Sequence, residues 1–218
     1  MRKPIKDFVR IVAESLPLRP PIYEFGALQV PGQENFGNLR SFFPGKQYVG
    51  CDMRAGPGVD KVLDLHKIEL PDGIAGTVLV LETLEHVEFV RKAVEEVWRI
   101  TTPGGMAIFS SQMNFPIHNY PCDYWRFTPH GFESLLKIFD HRIVTYAGVP
   151  WFPHAVVGIG FKSLVPEGLA ALEDQLGAWQ ARWREKGGKR WISLVRAVAP
   201  PILLEMRRKR NWMNRDES

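Results

Sequence analysis

Four carboxylates, Glu24, Asp52, Asp64 and Glu82, fall at the ends of short apolar runs in this 218-residue sequence. The first run, IYEF, stops at Gly26-Ala27, whose small side chains let the backbone turn tightly. The second, YVGC, ends on Asp52. A strand, a small-residue turn, a helix and a second strand tipped with a carboxylate make the first half of a nucleotide-binding unit. In that unit the acid at the second strand's tip accepts hydrogen bonds from ribose hydroxyls. Glu24-Phe25-Gly26-Ala27 holds a single glycine where a dinucleotide fingerprint needs three, which points away from NAD and toward a different adenosine-bearing cofactor. Open parallel sheets bind ligands beyond the carboxyl ends of their strands, where strand order reverses. An acidic crevice there suits a cationic, amine-bearing ligand, whereas a pyrophosphate would want amides and basic residues.

A second constellation lies in the loop HNYPCDYWR, His118 to Arg126. Loops dense in polar and aromatic groups are where functional side chains concentrate. His118 and Asp123 are candidates for acid-base chemistry or for orienting an acceptor, and His86 joins them from the run ETLEH. Each has a plainer reading. Asp123 and Arg126 can form a salt bridge that shapes the loop, and His86 can hold its own turn. Asp52 and Asp64 can cap turns, a common use of aspartate. Cys51 and Cys122 read as inert reduced thiols, and no metal-ligand spacing stands out among the histidines and cysteines, so no metal is expected.

The elements that would position these groups follow from periodicity. Residues 1–20 predict a leading helix over Ile5–Leu16, with Phe8, Val9, Ile11, Val12 and Leu16 as its stripe. Strands are predicted at Ile22–Phe25, Tyr48–Cys51, Lys61–Leu65, Thr77–Leu81, Met106–Phe109, Ile143–Tyr146 and Ala155–Phe161. A short helix runs through Leu39–Phe43. Val90, Ala93, Val94, Val97 and Trp98 mark an amphipathic helix that TTPGG ends. Thr128-Pro129 opens another, carrying Phe132, Leu135, Leu136 and Phe139. Seven strands, mostly parallel with the last antiparallel, alternate with helices or abbreviated crossovers: an α/β, Rossmann-like sheet.

The motifs YEFGA, YVGCD, VDKVLDLH, VLVLETLEHV, EEVWRITTPGG and HNYPCDYWRFTPHGF occur in that order. Together they resemble the class I S-adenosylmethionine-dependent methyltransferases, and most nearly the small ones associated with glycan-assembly enzymes. The resemblance covers residues 21–163, taken as the domain. It implies S-adenosylmethionine as cofactor. Glu24, Gly26 and Ala27 would line the methionine moiety, the turn's amides facing it. Asp52 would hold the ribose diol with Met53 against the adenine. Asp64 and Leu65 would sit at the adenine's far edge, the carboxylate accepting from the exocyclic amine. Glu82 to His86 would border the sulfonium and the acceptor. The glycine-rich DxGxG turn of the commoner family pattern is lacking. The implied activity is O-methylation of a glycan or small hydroxylated acceptor. RNA or protein methylation docked by the chain's basic end is an alternative, although no DPPY- or NPPY-type tetrapeptide follows the fourth strand. A third reading is a non-catalytic binding protein of the same fold.

Charge separates the chain into two parts. Residues 1–163 balance 17 basic against 17 acidic side chains, while Arg182 to Arg215 hold 11 basic and 2 acidic. Residues 164–218 therefore read as a basic, helical, tryptophan-containing extension with Trp179, Trp183, Trp191 and Trp212. It could lie on an anionic membrane, contact a partner subunit, cover the acceptor site, or meet RNA, or its tryptophans could pack on the core. With no signal peptide in view, the expected location is cytoplasmic or peripheral at the inner membrane face.

Overall fold

The apolar runs pair into one sheet. Its strands are β1 (Ile22–Phe25), β2 (Tyr48–Asp52), β3 (Lys61–Val62), β4 (Ala75–Leu81), β5 (Thr101–Gln112), β6 (His141–Val149) and β7 (Phe152–Phe161). They lie in the order β3-β2-β1-β4-β5-β7-β6. The first five are mutually parallel, and β7 runs antiparallel to both β5 and β6. The computed structural model describes residues 1–29, 37–118 and 121–184. The chain moves outward from β1 to β3 and then returns to place β4 beside β1, so strand order reverses between β1 and β4. Phe25 is level with Val80, and the segments after β1 and β4 emerge side by side at that reversal.

Four helices of the described residues cover the sheet: α1 (Lys3–Ser15), α2 (Val90–Ile100), α3 (Pro129–Leu135) and α4 (Leu169–Trp183). Alternate residues of each strand point to opposite faces. Ile22, Leu79, Met106, Ile108 and Ile159 therefore pack under α1 and α4. Tyr23, Val78, Val80, Ala107 and Phe109 pack under α2 and α3. Thr128 accepts a hydrogen bond from Gly131 N at 3.0 Å and Pro129 occupies the first helical position, so α3 starts where its capping signals lie. Gly160 is glycine because a Cβ there would meet the Phe139 ring at 2.4 Å.

Several boundaries differ from expectation. β3 is two residues long instead of Lys61–Leu65, because Asp64 bridges back to Lys67 in a turn. β5 starts at Thr101, taking in the TTPGG that was expected to be a plain helix stop. Residues 40–42 form a single turn of 3-10 helix.

The expected extension from residue 164 is cut shorter by α4. Leu172, Leu176 and Trp179 are buried; the Trp179 ring lies 5.7 Å from Phe8 and its Nε1 donates to Pro4 O at 3.0 Å. Burying each such side chain contributes roughly 1.5–3 kcal/mol. Residues 1–184 accordingly form one compact unit. Residues 185–218, with Trp191, Trp212 and most of the basic charge, lie outside the described residues, as do the membrane, partner and RNA expectations attached to them. No helix among the described residues is long and apolar enough to cross a membrane.

Candidate active site

A cleft of about 660 Å³ opens at the carboxyl ends of β1, β2 and β4, over the point where strand order reverses. Its walls include Glu24, Gly26, Ala27, Asp52, Met53, Asp64, Leu65, Glu82, His86 and His118, so ten of the eleven sequence-predicted site residues meet there.

Glu24, on β1, is buried, and Tyr48 Oη donates to its Oε2 at 2.6 Å. Burial pushes the Glu24 carboxyl up to about 7, against the pull of the Tyr48 hydroxyl and Arg40. Gly26 follows with φ +91, and a Cβ on it would stand 2.1 Å from Thr83 Oγ1. Thr83 Oγ1 donates back toward Phe25 O and Leu81 O, stitching the two loops at the sheet's reversal. The expectation that the turn's amides face a ligand is not met. Gly26 N and Ala27 N both donate to Cys51 O, at 2.9 and 3.0 Å, because the turn bends back onto β2 and prolongs its ladder.

Asp52 stands at the tip of β2. Its Oδ1 accepts from Arg54 N at 3.0 Å, an aspartate turn, while no hydrogen bond engages Oδ2 among the described residues. The turn-capping reading of Asp52 is seen directly, and the residue also lines the cleft. Asp64 Oδ1 accepts from His66 N and Nδ1, each at 2.8 Å, and Phe89 N donates to His66 Nε2 at 3.3 Å. That network assigns the His66 proton to Nδ1. Burial pushes the Asp64 carboxyl up, but the His66 bonds outweigh it and the net direction is downward. Met53, 57% exposed, offers apolar surface beside Asp52.

At the other end of the cleft, Glu82 adopts φ +52 and is ion-paired to Arg2, whose backbone N also donates to it at 3.0 Å. Arg2 Nη1 donates to His154 O at 2.7 Å. The eleventh residue, Asp123, is withdrawn from the cleft. It accepts from Arg126 Nη2 at 2.6 Å and His118 N at 2.9 Å, and lies 3.1 Å from His118 Nδ1. Bonds from Arg126 hold its carboxyl well below the usual carboxylate range. Asp123 is thus kept ionised and cannot itself shuttle a proton near neutrality. His118 Nδ1 bonds Pro116 O at 3.3 Å, an acceptor that fixes Nδ1–H on that side and leaves Nε2 without the proton.

His86 is arranged alike. Its Nδ1 bonds Cys122 O, and its ring meets that of His118 edge-on with centroids 4.8 Å apart. No hydrogen bond engages Nε2 of either ring among the described residues. Cys51 is buried, and burial pushes its thiol up to about 12, away from the reactive thiolate.

Sequence reasoning missed Arg2 and Gln112, and reached Thr83 and Glu85 only as members of the run 82–86, with no role of their own. Glu85 is fully buried beneath His86, accepting from Ser111 Oγ at 2.6 Å and Gln112 Nε2 at 2.9 Å. Burial pushes its carboxyl up, against the Ser111 hydroxyl. An acid among the apolar residues of ETLEHV was the available signal for Glu85. Arg2, whose partner is 80 positions away, had none.

Residues 39–109, from the approach to β2 through most of β5, match the family described as Methyltransferase domain. Over that third of the chain the sequence is similar to methyltransferase domains, and the seven-stranded sheet has the fold of the S-adenosylmethionine-dependent methyltransferases. None of the curated proteins matches the sequence. Among solved structures, a SAM-dependent methyltransferase from Archaeoglobus fulgidus is similar with a TM-score of 0.57 and 12% identity, over 74% of this chain and 95% of that one. The PH0226 protein of Pyrococcus horikoshii gives 0.53 and 16%, over 72% and 89%. YcgJ of Bacillus subtilis gives 0.53 and 11%, over 74% and 99%. At these identities the likeness is one of fold.

The residues present fit the cofactor of this class. The cleft has the size of a small-molecule site. Its donor set is carboxylate-rich, as a cationic ligand with a ribose requires, and Asp52 retains an oxygen for hydroxyls.

Proposed function

We propose that this methyltransferase domain methylates an oxygen of a hydroxylated small molecule or glycan. Asp52 Oδ2 holds the ribose diol of S-adenosylmethionine, Met53 and Leu65 flank its adenine, Asp64 accepts from the exocyclic amine, and Glu24 faces the amino group. When bound, the cofactor supplies an electrophilic methyl group on a sulfonium and is left as a neutral thioether. The chain aligns donor and acceptor and excludes water, which is most of what such a displacement asks of a protein. A hydroxyl also has to shed its proton as its oxygen attacks.

The observation that carries the oxygen reading is the pair His86 and His118. Both have Nδ1 engaged by a backbone carbonyl, Cys122 O and Pro116 O, and Nε2 unengaged among the described residues, side by side in the cleft wall. A neutral amine acceptor would attack through its own lone pair and needs no such pair. The test is transfer of an isotopically labelled methyl group from S-adenosylmethionine to a panel of sugars, polyols, phenols and amines, with the methylated atom located by mass spectrometry. Ether products are expected. Methylation confined to nitrogen would overturn the oxygen assignment.

A further inference from the structure

We propose that Glu85, His86 and His118 form a site for one divalent transition-metal ion at the acceptor end of the cleft. Among the described residues these three bring a carboxylate oxygen and two imidazole nitrogens within 4.8 Å of one another. One carboxylate and two neutral imidazoles is a donor set suited to zinc, iron(II), cobalt or manganese. Four-coordinate zinc with bonds of about 2.0–2.1 Å sets its ligands about 3.3 Å apart. Modest rotations of two partly exposed imidazoles close the difference.

The surroundings of the three residues separate this from a chance meeting of rings. Metal-ligating histidines almost always donate their other ring N–H to a carbonyl or carboxylate, which fixes the tautomer and orients the ring. His86 does so to Cys122 O, and His118 to Pro116 O at 3.3 Å, with Asp123 Oδ2 3.1 Å from the same Nδ1. Ligating carboxylates are themselves held by hydrogen bonds, as Glu85 is by Ser111 and Gln112. Each Glu85 oxygen keeps a second lone pair for an ion.

A second, independent observation points into the same place. Gln112 is 4% exposed and lines the cleft, and its Oε1 is buried without a hydrogen-bond partner among the described residues. Because Nε2 donates to Glu85, the amide cannot flip to remove the orphan, and Oε1 must wait for a donor. A water or an acceptor hydroxyl bound to the ion is such a donor, since metal coordination makes its proton more acidic and a stronger hydrogen-bond donor. The part such an ion would play rests on the oxygen-methylation reading: it would bind the acceptor hydroxyl and lower its pKa. The proton is then lost to solvent before the oxygen takes the methyl group and the carbon–sulfur bond breaks. The binding itself does not depend on that reading.

The test uses the full chain, stripped of metal with a chelator and checked by elemental analysis. Titration with zinc, manganese or cobalt(II), the last followed by its visible absorption, should show one equivalent bound. His86→Gln and His118→Gln should each lower affinity about tenfold or more, and Asp123→Asn, which would not touch the ion, by about 10- to 100-fold. Circular dichroism and retained stabilisation by S-adenosylhomocysteine establish that the variants are folded. Wild-type protein that takes up no equivalent, or histidine variants that bind as tightly as wild type, would overturn the site. The two proposals fail separately. Metal uptake with methylation only at nitrogen sinks the oxygen reading and leaves the site standing. Full-rate ether formation by metal-free protein that binds no ion does the reverse.

Discussion

Replacing Glu24 with glutamine tests the electrostatics of the cleft directly. The carboxyl ionises in the folded protein at about 7, against 4.5 for an unperturbed glutamate, chiefly because β1 buries it. Below pH 4.5 folded and unfolded chains both carry the proton. Between those two values the unfolded chain gives it up freely while the folded one resists. This group's contribution to stability is therefore present at low pH and is lost as pH rises through about 7. At about 1.4 kcal/mol per pKa unit, the loss amounts to about 3 kcal/mol. Glutamine keeps the volume, accepts from Tyr48 Oη through its own oxygen, and does not titrate. Urea denaturation of both proteins between pH 5 and 8 is the assay. Relative to wild type, the variant should gain about 2.5 kcal/mol between pH 5 and 8, the first part of the loss falling below pH 5. A gap that stays constant with pH would refute the reasoning, and with it the idea that β1 holds a carboxyl against its preference.

The other predictions are simpler. The same Glu24→Gln protein should bind S-adenosylhomocysteine more weakly in calorimetry, having lost the carboxylate proposed to face its amino group. Equal affinity would remove Glu24 from the cofactor's surroundings. Asp52→Ala should cost about 1.5–3 kcal/mol of cofactor binding, the range for hydrogen bonds to a charged group. Affinity left unchanged would mean that only the bond to Arg54 N matters. Trp179→Ala should destabilise the domain by about 3–5 kcal/mol, since it removes a ring buried against Phe8. A loss under 1 kcal/mol in urea denaturation would show that α4 is only loosely applied. Gly26→Ala should lower the melting temperature, because its Cβ would strike Thr83 Oγ1; an unchanged melting curve would deny that close approach.

The sheet was readable because most of its central strands are buried on both faces, so VLVL appears as an unbroken apolar run and IYEF as one interrupted only by Glu24. β3 was misjudged in length because Lys61 and Val62 are exposed and carry no burial pattern. The acids of the cleft were readable for a topological reason: a carboxylate at a strand tip is placed by the strand alone. Asp123 was half-read, since its local partner Arg126 was foreseen while its role behind His118 depends on how the loop folds back. Glu85, in the turn after β4, meets Gln112 at the end of β5, and Arg2 reaches Glu82 across 80 positions of sequence. No local pattern encodes such meetings. The direction of the Gly26 and Ala27 amides was missed because motif matching fixes that a turn exists, not which strand it leans on.

The pairing of α1 with α4 has a consequence for how the protein is made. Arg2, which clamps Glu82 at the cleft wall, leads directly into α1, and α1 is held by a Trp179 bond spanning 175 positions. Contacts of such separation close late, since loop entropy must be overcome before they give any return. A nascent chain emerging from the ribosome can pair β1 with β4 while α1 still lacks its partner helix. One wall of the cofactor cleft is therefore completed only when α4 has been synthesised, and until then the emerging sheet exposes the apolar face that α4 will cover.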